Sequence, residues 1–214
     1  MSEVEAAVMD GPGKIVIRDY PKPTIPDDAL LLKIDMTGVC GTDLSLYRGH
    51  MPAGEYGSFS FPFIPGHEVI GIVDKLGKDA NQSMSVDQPL REGDRVLLFG
   101  GIFCGKCWGC RHFGNANRID CLNLFVYGLT NCSDSPHLFG GYAEYLYVKP
   151  GSRLWKLPDD MPSEVAVLAD PLSTCIRAVE RALCIGSLSN NVLLPFQGTV
   201  VVQGSGAMGL MTAA

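Results

Sequence analysis

The sequence has no long hydrophobic run, no excess of positive charge and no basic-then-apolar order at its start. No window approaches the roughly 20 consecutive apolar residues that a membrane-spanning helix needs. Lys and Arg number 17 against 23 Asp and Glu, which gives a formal net charge of −6. These absences argue against a nucleic-acid partner, an anionic lipid surface and a secretory signal peptide. We therefore expect a cytoplasmic protein with no membrane and no nucleic-acid partner.

Cysteine, in contrast, is plentiful, with eight in the chain. Reducing compartments rarely keep disulfides, so clustered thiols there favour metal-binding or catalytic roles. The segment "CGKCWGC" contributes Cys104, Cys107 and Cys110, and Cys121 follows after ten intervening residues. Four thiolates complete the tetrahedral shell of a structural zinc. The alternatives are buried cysteines acting as small hydrophobes, or His112 as the fourth ligand, although its closeness to Cys110 would strain chelation.

The first 150 residues are dense in glycine, proline and short β-branched runs, such as "KIVIRDY" and "EVIGIVDKLG". Runs of this length between turn residues predict a β-rich barrel or sandwich. The polar, unpatterned segment 77–94 is predicted to be a surface loop. From Pro162 onward the apolar spacing fits the period of a helix. Because Pro171 is poorly accommodated inside one continuous helix, we predict two short helices that meet near Asp170 and Pro171.

The segment "VVVQGSGAMGL" has the pattern of a strand followed by a glycine-rich turn and a helix. In a dinucleotide-binding unit Gly204 would allow the tight turn, Gly206 the close approach of a pyrophosphate and Gly209 the packing of helix against strand. The phosphates would then lie at the N-terminus of the helix, where free amides and the helix dipole attract anions.

A second set of metal-ligand residue types is scattered along the chain. Cys40 occurs in "GVCGTD", His67 and Glu68 in "PGHEVIGIV", and Asp170 in "LADPLST". Taken singly, each residue also has a structural explanation: a core thiol, a hydrogen-bonded turn histidine or a solvated carboxylate.

Taken together, these stretches resemble the zinc-dependent medium-chain dehydrogenase/reductase family, in particular its alcohol, polyol and threonine dehydrogenase branches. The resemblance runs from "GVCGTDLSLYRG" through "FPFIPGHEVIGIV", the cysteine cluster, "GGYAEYLYVKP" and "DPLSTCIRAVERA" to the last glycines. It implies a mainly β, GroES-like zinc-binding domain over residues 1–161. Residues 162–214 would hold connecting helices, then the first strand and the start of the first helix of an α/β Rossmann coenzyme domain.

The resemblance also implies the roles of individual residues. It assigns a catalytic zinc to Cys40, His67 and Asp170, a position that holds Cys, Glu or Asp in relatives. Glu68 looks like the family's second-shell or exchanging ligand, so the third ligand is either Glu68 or Asp170. Such a shell leaves an open position for water or substrate. Thr42 matches the hydroxyl that accepts the alcohol proton in relatives, and its structural alternative is a turn or capping threonine.

The sequence departs from the family pattern at two places. Ser45 stands where alcohol dehydrogenases often have a relay histidine, so the exit path of the proton is unassigned. The family usually has seven residues between its third and fourth cysteines, whereas this chain has ten. The longer loop raises the free energy of loop closure by only about 0.3 kcal/mol. The free energy of zinc binding is much larger, on the order of 10 kcal/mol. Cys121 therefore stays the expected fourth ligand.

The implied function is a hydride transfer from an alcohol, polyol or amino alcohol to NAD or NADP, with two zinc ions per chain. A complete β-α-β unit needs about 30 residues, so we expect this chain to be the N-terminal part of a longer dehydrogenase that forms a homodimer or homotetramer. One alternative is a zinc-binding GroES-like fragment with no turnover. Another is a zinc-free reductase of the quinone-reductase type, against which Cys40, His67 and the cysteine cluster argue.

Overall fold

The computed structural model describes residues 2–50, 59–82, 84–112, 121–184 and 200–214. The chain forms two compact units, Met1–Val167 and Leu168–Ala214. The domain boundary expected from the sequence, after residue 161, stays a prediction.

Within the described residues the elements follow the chain in this order. The strands are β1 (Glu3–Gly11), β2 (Lys14–Pro21), β3 (Leu30–Thr37), β4 (Val69–Leu76), β5 (Arg95–Leu98), β6 (Gly101–Ile102), β7 (Phe125–Val126), β8 (Tyr145–Val148) and β9 (Leu154–Lys156). The helices are α1 (Gly41–Tyr47), α2 (Trp108–His112), α3 (Ser163–Ala166), α4 (Ala169–Cys184) and α5 (Ala207–Ala213).

A five-stranded antiparallel sheet, in the order β8-β3-β4-β5-β9, forms the centre of the first unit. Two further antiparallel pairs, β1 with β2 and β6 with β7, complete its strands in the described residues. Leu32, Val69, Val96 and Leu146 come from four different strands and are fully buried in one cluster. Each such side chain contributes about 1.5–3 kcal/mol when it leaves water. The mainly β fold predicted from the sequence is confirmed.

The described residues of segment 77–94 form a largely exposed connection without strand or α-helix, as predicted, but a few of its residues enter the core. Ala80, Met84 and Leu90 are buried in the same cluster as the sheet residues. The backbone holds this segment in place, because the Leu154 N–H donates to the Met84 carbonyl at 2.9 Å. Because three isolated apolar residues in a polar stretch have no periodic spacing, the sequence pattern did not predict their burial.

The two helices predicted after Pro162 are present, but they do not meet at Pro171. The first helix, α3, ends at Ala166, and the second, α4, begins at Ala169. Pro171 therefore lies in the first turn of α4. A proline is tolerated there because the first N–H groups of a helix have no partner within the helix.

In the second unit, α4 contacts α5, and the Cys175 thiol lies 3.4 Å from the Met208 carbonyl oxygen. Val200 to Val202 pair with no other strand in the described part of the chain, and Val200 and Val201 are about four-fifths exposed. Since a strand is defined by hydrogen bonds to a neighbour, the predicted first strand of the α/β region is not formed as a paired strand among the described residues. The start of its helix is present as α5.

Gly140 tests how tightly the first unit is packed around the segment that precedes His67. A Cβ atom at Gly140 would overlap the backbone carbonyl oxygen of Ile64, whereas a Cβ at Gly11 would meet nothing within 4 Å. We expect Gly140→Ala to lower the free energy of unfolding by about 3 kcal/mol, measured by urea denaturation. Gly11→Ala is the matched control and should unfold close to wild type. Equal stability of the two variants would contradict this packing.

Candidate metal centres

The four cysteines of the first candidate centre come together around the short helix α2. Cys104, Cys107 and Cys110 lie in and before this helix, and Cys121 returns shortly before β7. Their sulfur atoms all lie within 4.8 Å of one another. The Cys104 and Cys110 sulfurs are 4.0 Å apart. Gly105 adopts a φ of 69°, the left-handed conformation that turns the chain between the first two cysteines.

Backbone amides point at these sulfurs. The Cys107 N–H donates to Cys104 Sγ at 3.4 Å, and the Cys110 N–H donates to Cys107 Sγ at 3.5 Å. Hydrogen bonds from the Lys106 and Cys107 amides lower the pKa of Cys104 to about 6. Burial, together with the neighbouring thiols, raises the pKa of Cys110 to about 12. A divalent cation bound by these sulfurs would favour their thiolate form.

His112, the rival fourth ligand, is turned to other contacts. Its ring stacks on Trp108 with 4.5 Å between the centroids, and its Nδ1 lies 3.0 Å from the Trp108 carbonyl oxygen. Both side chains are exposed, whereas Cys121 is buried within the sulfur cluster. Four sulfur donors at mutual contact distance suit the closed tetrahedral shell of zinc.

The second candidate centre follows from the register of two neighbouring strands. Thr37, the last residue of β3, pairs with Val69, the first residue of β4. Beyond this pair the Gly38 N–H donates to the Glu68 carbonyl at 2.8 Å. The residues after β3 therefore lie beside those before β4. The structure thus brings Cys40, His67 and Glu68 together, with ligand atoms within 4.8 Å of one another.

Gly38 makes room for the carboxylate at this crossing. A Cβ atom at Gly38 would overlap Glu68 Oε2 and lie 3.0 Å from Glu68 Cβ. Any other residue at this position would therefore displace the Glu68 carboxylate from its present place. The glycine of "GVC" is explained by this close approach.

Asp43 belongs to the second centre, although the sequence analysis did not single it out. Cys40 caps α1, and its N–H donates to Asp43 Oδ2 at 2.9 Å. The other carboxylate oxygen, Oδ1, lies 3.9 Å from His67 Nδ1, and Asp43 is only 4% exposed. The available signal was the spacing, since an acid three residues after a helix cap commonly bonds back to the cap N–H.

Unpaired polar atoms collect at this centre. In the described part of the chain, buried side-chain atoms without a hydrogen-bond partner include His67 Nδ1, Asp43 Oδ1 and Thr37 Oγ1, which lies beside Gly66. Each such atom costs about 1–3 kcal/mol if nothing satisfies it. The centre offers zinc one thiol, one imidazole and one carboxylate, and a second carboxylate lies behind the imidazole. This donor set fits zinc and leaves one coordination position of the ion open.

The remaining predicted residues of the catalytic site lie on α4 and α1. Asp170 lies in the first turn of α4, in the second unit. Its part in the catalytic zinc site stays a prediction. Thr42 is the second residue of α1 and is half-buried, while Ser45 lies one helical turn further along. The role of Thr42 in proton transfer stays a prediction as well.

The glycine-rich turn before α5 has the backbone geometry that glycine permits. Gly204 adopts a φ of 116°, and Gly206 caps the helix. A Cβ atom at Gly209 would overlap the Gly204 carbonyl oxygen, so the turn closes tightly on its own helix. The assignment of these three glycines to coenzyme phosphates stays a prediction.

No helix among the described residues is both long enough and apolar enough to cross a membrane.

Comparison with known proteins gives the family. Residues 26–159 match the family model described as the alcohol dehydrogenase GroES-like domain. A probable alcohol dehydrogenase of Mycobacterium tuberculosis is 37% identical over 175 residues, which is 81% of this chain and 45% of that protein. An L-threonine 3-dehydrogenase of Pseudoalteromonas translucida is 32% identical over 201 residues, which is 94% of this chain and 50% of that protein. The chain spans about half the length of these curated relatives.

Solved structures agree. An alcohol dehydrogenase of Thermotoga maritima has a TM-score of 0.80 at 26% identity, covering 99% of this chain and 54% of that one. A structure described as a zinc-binding dehydrogenase from Sinorhizobium meliloti, with NADP bound, has a TM-score of 0.66 at 29% identity, covering 85% and 46%. This chain therefore belongs to the zinc-type medium-chain alcohol dehydrogenase family and contains its GroES-like domain.

Proposed function

We propose that this chain provides the zinc sites and part of the substrate site of a dehydrogenase that oxidises an alcohol, polyol or amino alcohol with NAD or NADP. The supporting observation is the convergence of Cys40, His67 and Glu68 at a place where buried polar atoms lack partners. Related proteins named alcohol dehydrogenase and L-threonine 3-dehydrogenase, and the NADP in one related structure, support the substrate and coenzyme classes.

Each residue then has a defined part. Zinc would be held by Cys40, by His67 and by either Glu68 or Asp170. A bound zinc ion would lower the pKa of an alcohol hydroxyl group so that it can ionise near neutral pH. Asp43 would orient the His67 ring through Nδ1 and leave Nε2 as the ligand atom. Thr42, two residues after Cys40, would accept the hydroxyl proton, with Ser45 one turn along α1 as the next hydroxyl. Gly204, Gly206 and Gly209 would hold the pyrophosphate of the coenzyme, which would supply the hydride acceptor of the reaction.

The four-cysteine cluster would hold a second, structural zinc ion. Zinc content therefore separates the two centres. We expect two zinc ions per chain in the wild type and one in either Cys40→Ser or Cys121→Ser, measured by elemental analysis after gel filtration. His112→Ala is the control and should keep both ions, because His112 contacts Trp108 rather than the sulfur cluster. A Cys40→Ser variant that still carries two ions would contradict the proposed catalytic site.

Gly38 offers a steric test of the third ligand. Gly38→Ala should displace the Glu68 carboxylate and weaken zinc binding at the Cys40 site about tenfold, measured by competition with a chromophoric chelator. Gly41→Ala is the matched control, because a Cβ at Gly41 meets nothing within 4 Å. If Gly38→Ala binds zinc like Gly41→Ala while Asp170→Asn loses affinity, the third ligand is Asp170 instead.

The activity test uses a zinc-loaded dehydrogenase that carries this chain together with a complete coenzyme domain, supplied with NAD or NADP and a panel of secondary alcohols, polyols and amino alcohols. We expect alcohol-dependent reduction of the coenzyme, followed at 340 nm. Thr42→Val should lower kcat by about 10²–10⁴-fold through loss of the proton acceptor, while Thr42→Ser should keep much of the activity. Two bound zinc ions with no turnover on any pair of alcohol and coenzyme would instead favour a zinc-binding domain without catalytic activity.

A further inference from the structure

Tyr142 is a further neighbour of Asp43 and follows the segment "GG" that precedes β8. Its hydroxyl oxygen is 3.4 Å from Asp43 Oδ2, and the residues are 99 positions apart in the chain. Sequence spacing gives no hint of this contact, and the resemblance to the family assigned no role to Tyr142.

The backbone fixes the Tyr142 ring against the turn that leads into His67. The Tyr142 N–H donates to the Pro65 carbonyl at 3.0 Å, and the Gly141 N–H donates to the Gly66 carbonyl at 2.8 Å. Gly66 has a φ of 91°, and a Cβ atom there would lie 2.6 Å from Tyr142 Cδ1. The ring thus occupies the space that a side chain at Gly66 would need.

The hydroxyl completes the hydrogen bonding of one Asp43 oxygen. Oδ2 receives both the Cys40 N–H and the Tyr142 O–H, whereas Oδ1 has no hydrogen-bond partner and faces His67 Nδ1. Burial, and then the negative charge of Asp43, raises the pKa of Tyr142, so its hydroxyl stays protonated and donates. Two donors on one oxygen fix the rotation of the carboxylate and leave the other oxygen for the imidazole.

We propose that Tyr142 is a positioning residue for the Cys40 and His67 site and acts through the Asp43 carboxylate. This inference rests on the proposed zinc site, because it concerns how tightly Cys40 and His67 are held for a metal ion. The contact of 3.4 Å is longer than a strong O–H···O bond. Its removal should therefore weaken metal binding a few-fold, rather than the hundredfold loss that removal of a direct partner can cause.

The test compares Tyr142→Phe with Tyr147→Phe, which removes a hydroxyl from the same stretch of chain. Tyr147 packs against the two main apolar clusters of the first unit. Binding of Co²⁺ to the metal-free chain is followed by its visible absorption, and the step that belongs to the Cys40 site is identified by its loss in Cys40→Ser. Thermal unfolding of each metal-free variant is measured in parallel.

We expect Tyr142→Phe to bind Co²⁺ at the Cys40 site about fivefold more weakly, with shifted absorption bands. Its unfolding temperature should stay within about 2 °C of wild type, and Tyr147→Phe should match wild type in affinity. In an Asp43→Asn background Tyr142→Phe should have no further effect on affinity, because the two residues act as one unit.

The positioning role would be overturned if Tyr142→Phe left the affinity for Co²⁺ unchanged, or if it lowered that affinity equally in the wild-type and Asp43→Asn backgrounds. Either result would leave the proposed function intact. A wild-type chain that binds Co²⁺ at the four-cysteine site alone would overturn both. A loss of affinity in proportion to lost stability, with unshifted absorption bands, would mean that Tyr142 acts on folding and would also overturn the inference.

Discussion

The second metal centre depends on one constraint, the antiparallel register between β3 and β4. Pairing of Thr37 with Val69 places the chain leaving one strand beside the chain entering the next. Cys40 and His67 are therefore neighbours in space because of backbone hydrogen bonds rather than because of their own attraction. A slip of one residue would turn every side chain of β4 to the other face of the sheet. Burial of Val69 and Val73 in the sheet core therefore also fixes the position of the site.

The two centres differ in how much of the fold they need. Three of the four clustered cysteines lie within seven residues, and local amides already point at their sulfurs. Such a cluster can gather a metal ion with little help from the rest of the chain. The Cys40 centre draws on segments near residues 40, 67 and 142, so its geometry exists only in the folded first unit. Metal binding there should be more strongly linked to folding of the sheet than binding at the cysteine cluster.

The sequence indicated the candidate ligand residues better than the residues that contact them. Cysteine spacing indicated the sulfur cluster, and the motifs around Cys40 and His67 carried the family resemblance. The mainly β fold followed from short β-branched runs. Asp43 was missed although its spacing from the helix cap was visible, and Tyr142 could not be found because its contact spans 99 residues. Burial of Met84 was decided by tertiary packing, which outweighs local pattern, whereas Pro171 lies in the first turn of α4, where a helix tolerates proline.

Asp43 illustrates why a supporting residue can be as constrained as a ligand. A carboxylate that is 4% exposed loses much of its hydration, and the Cys40 amide and Tyr142 hydroxyl replace this hydration at one oxygen only. The other oxygen stays unsatisfied beside an imidazole nitrogen that is equally unsatisfied. Two opposed, buried and unpaired atoms are unfavourable in a site that serves only packing, where apolar residues of similar size would be more stable. The two atoms are accounted for if the Asp43 carboxylate serves to hold the His67 imidazole in one orientation rather than to fill the core.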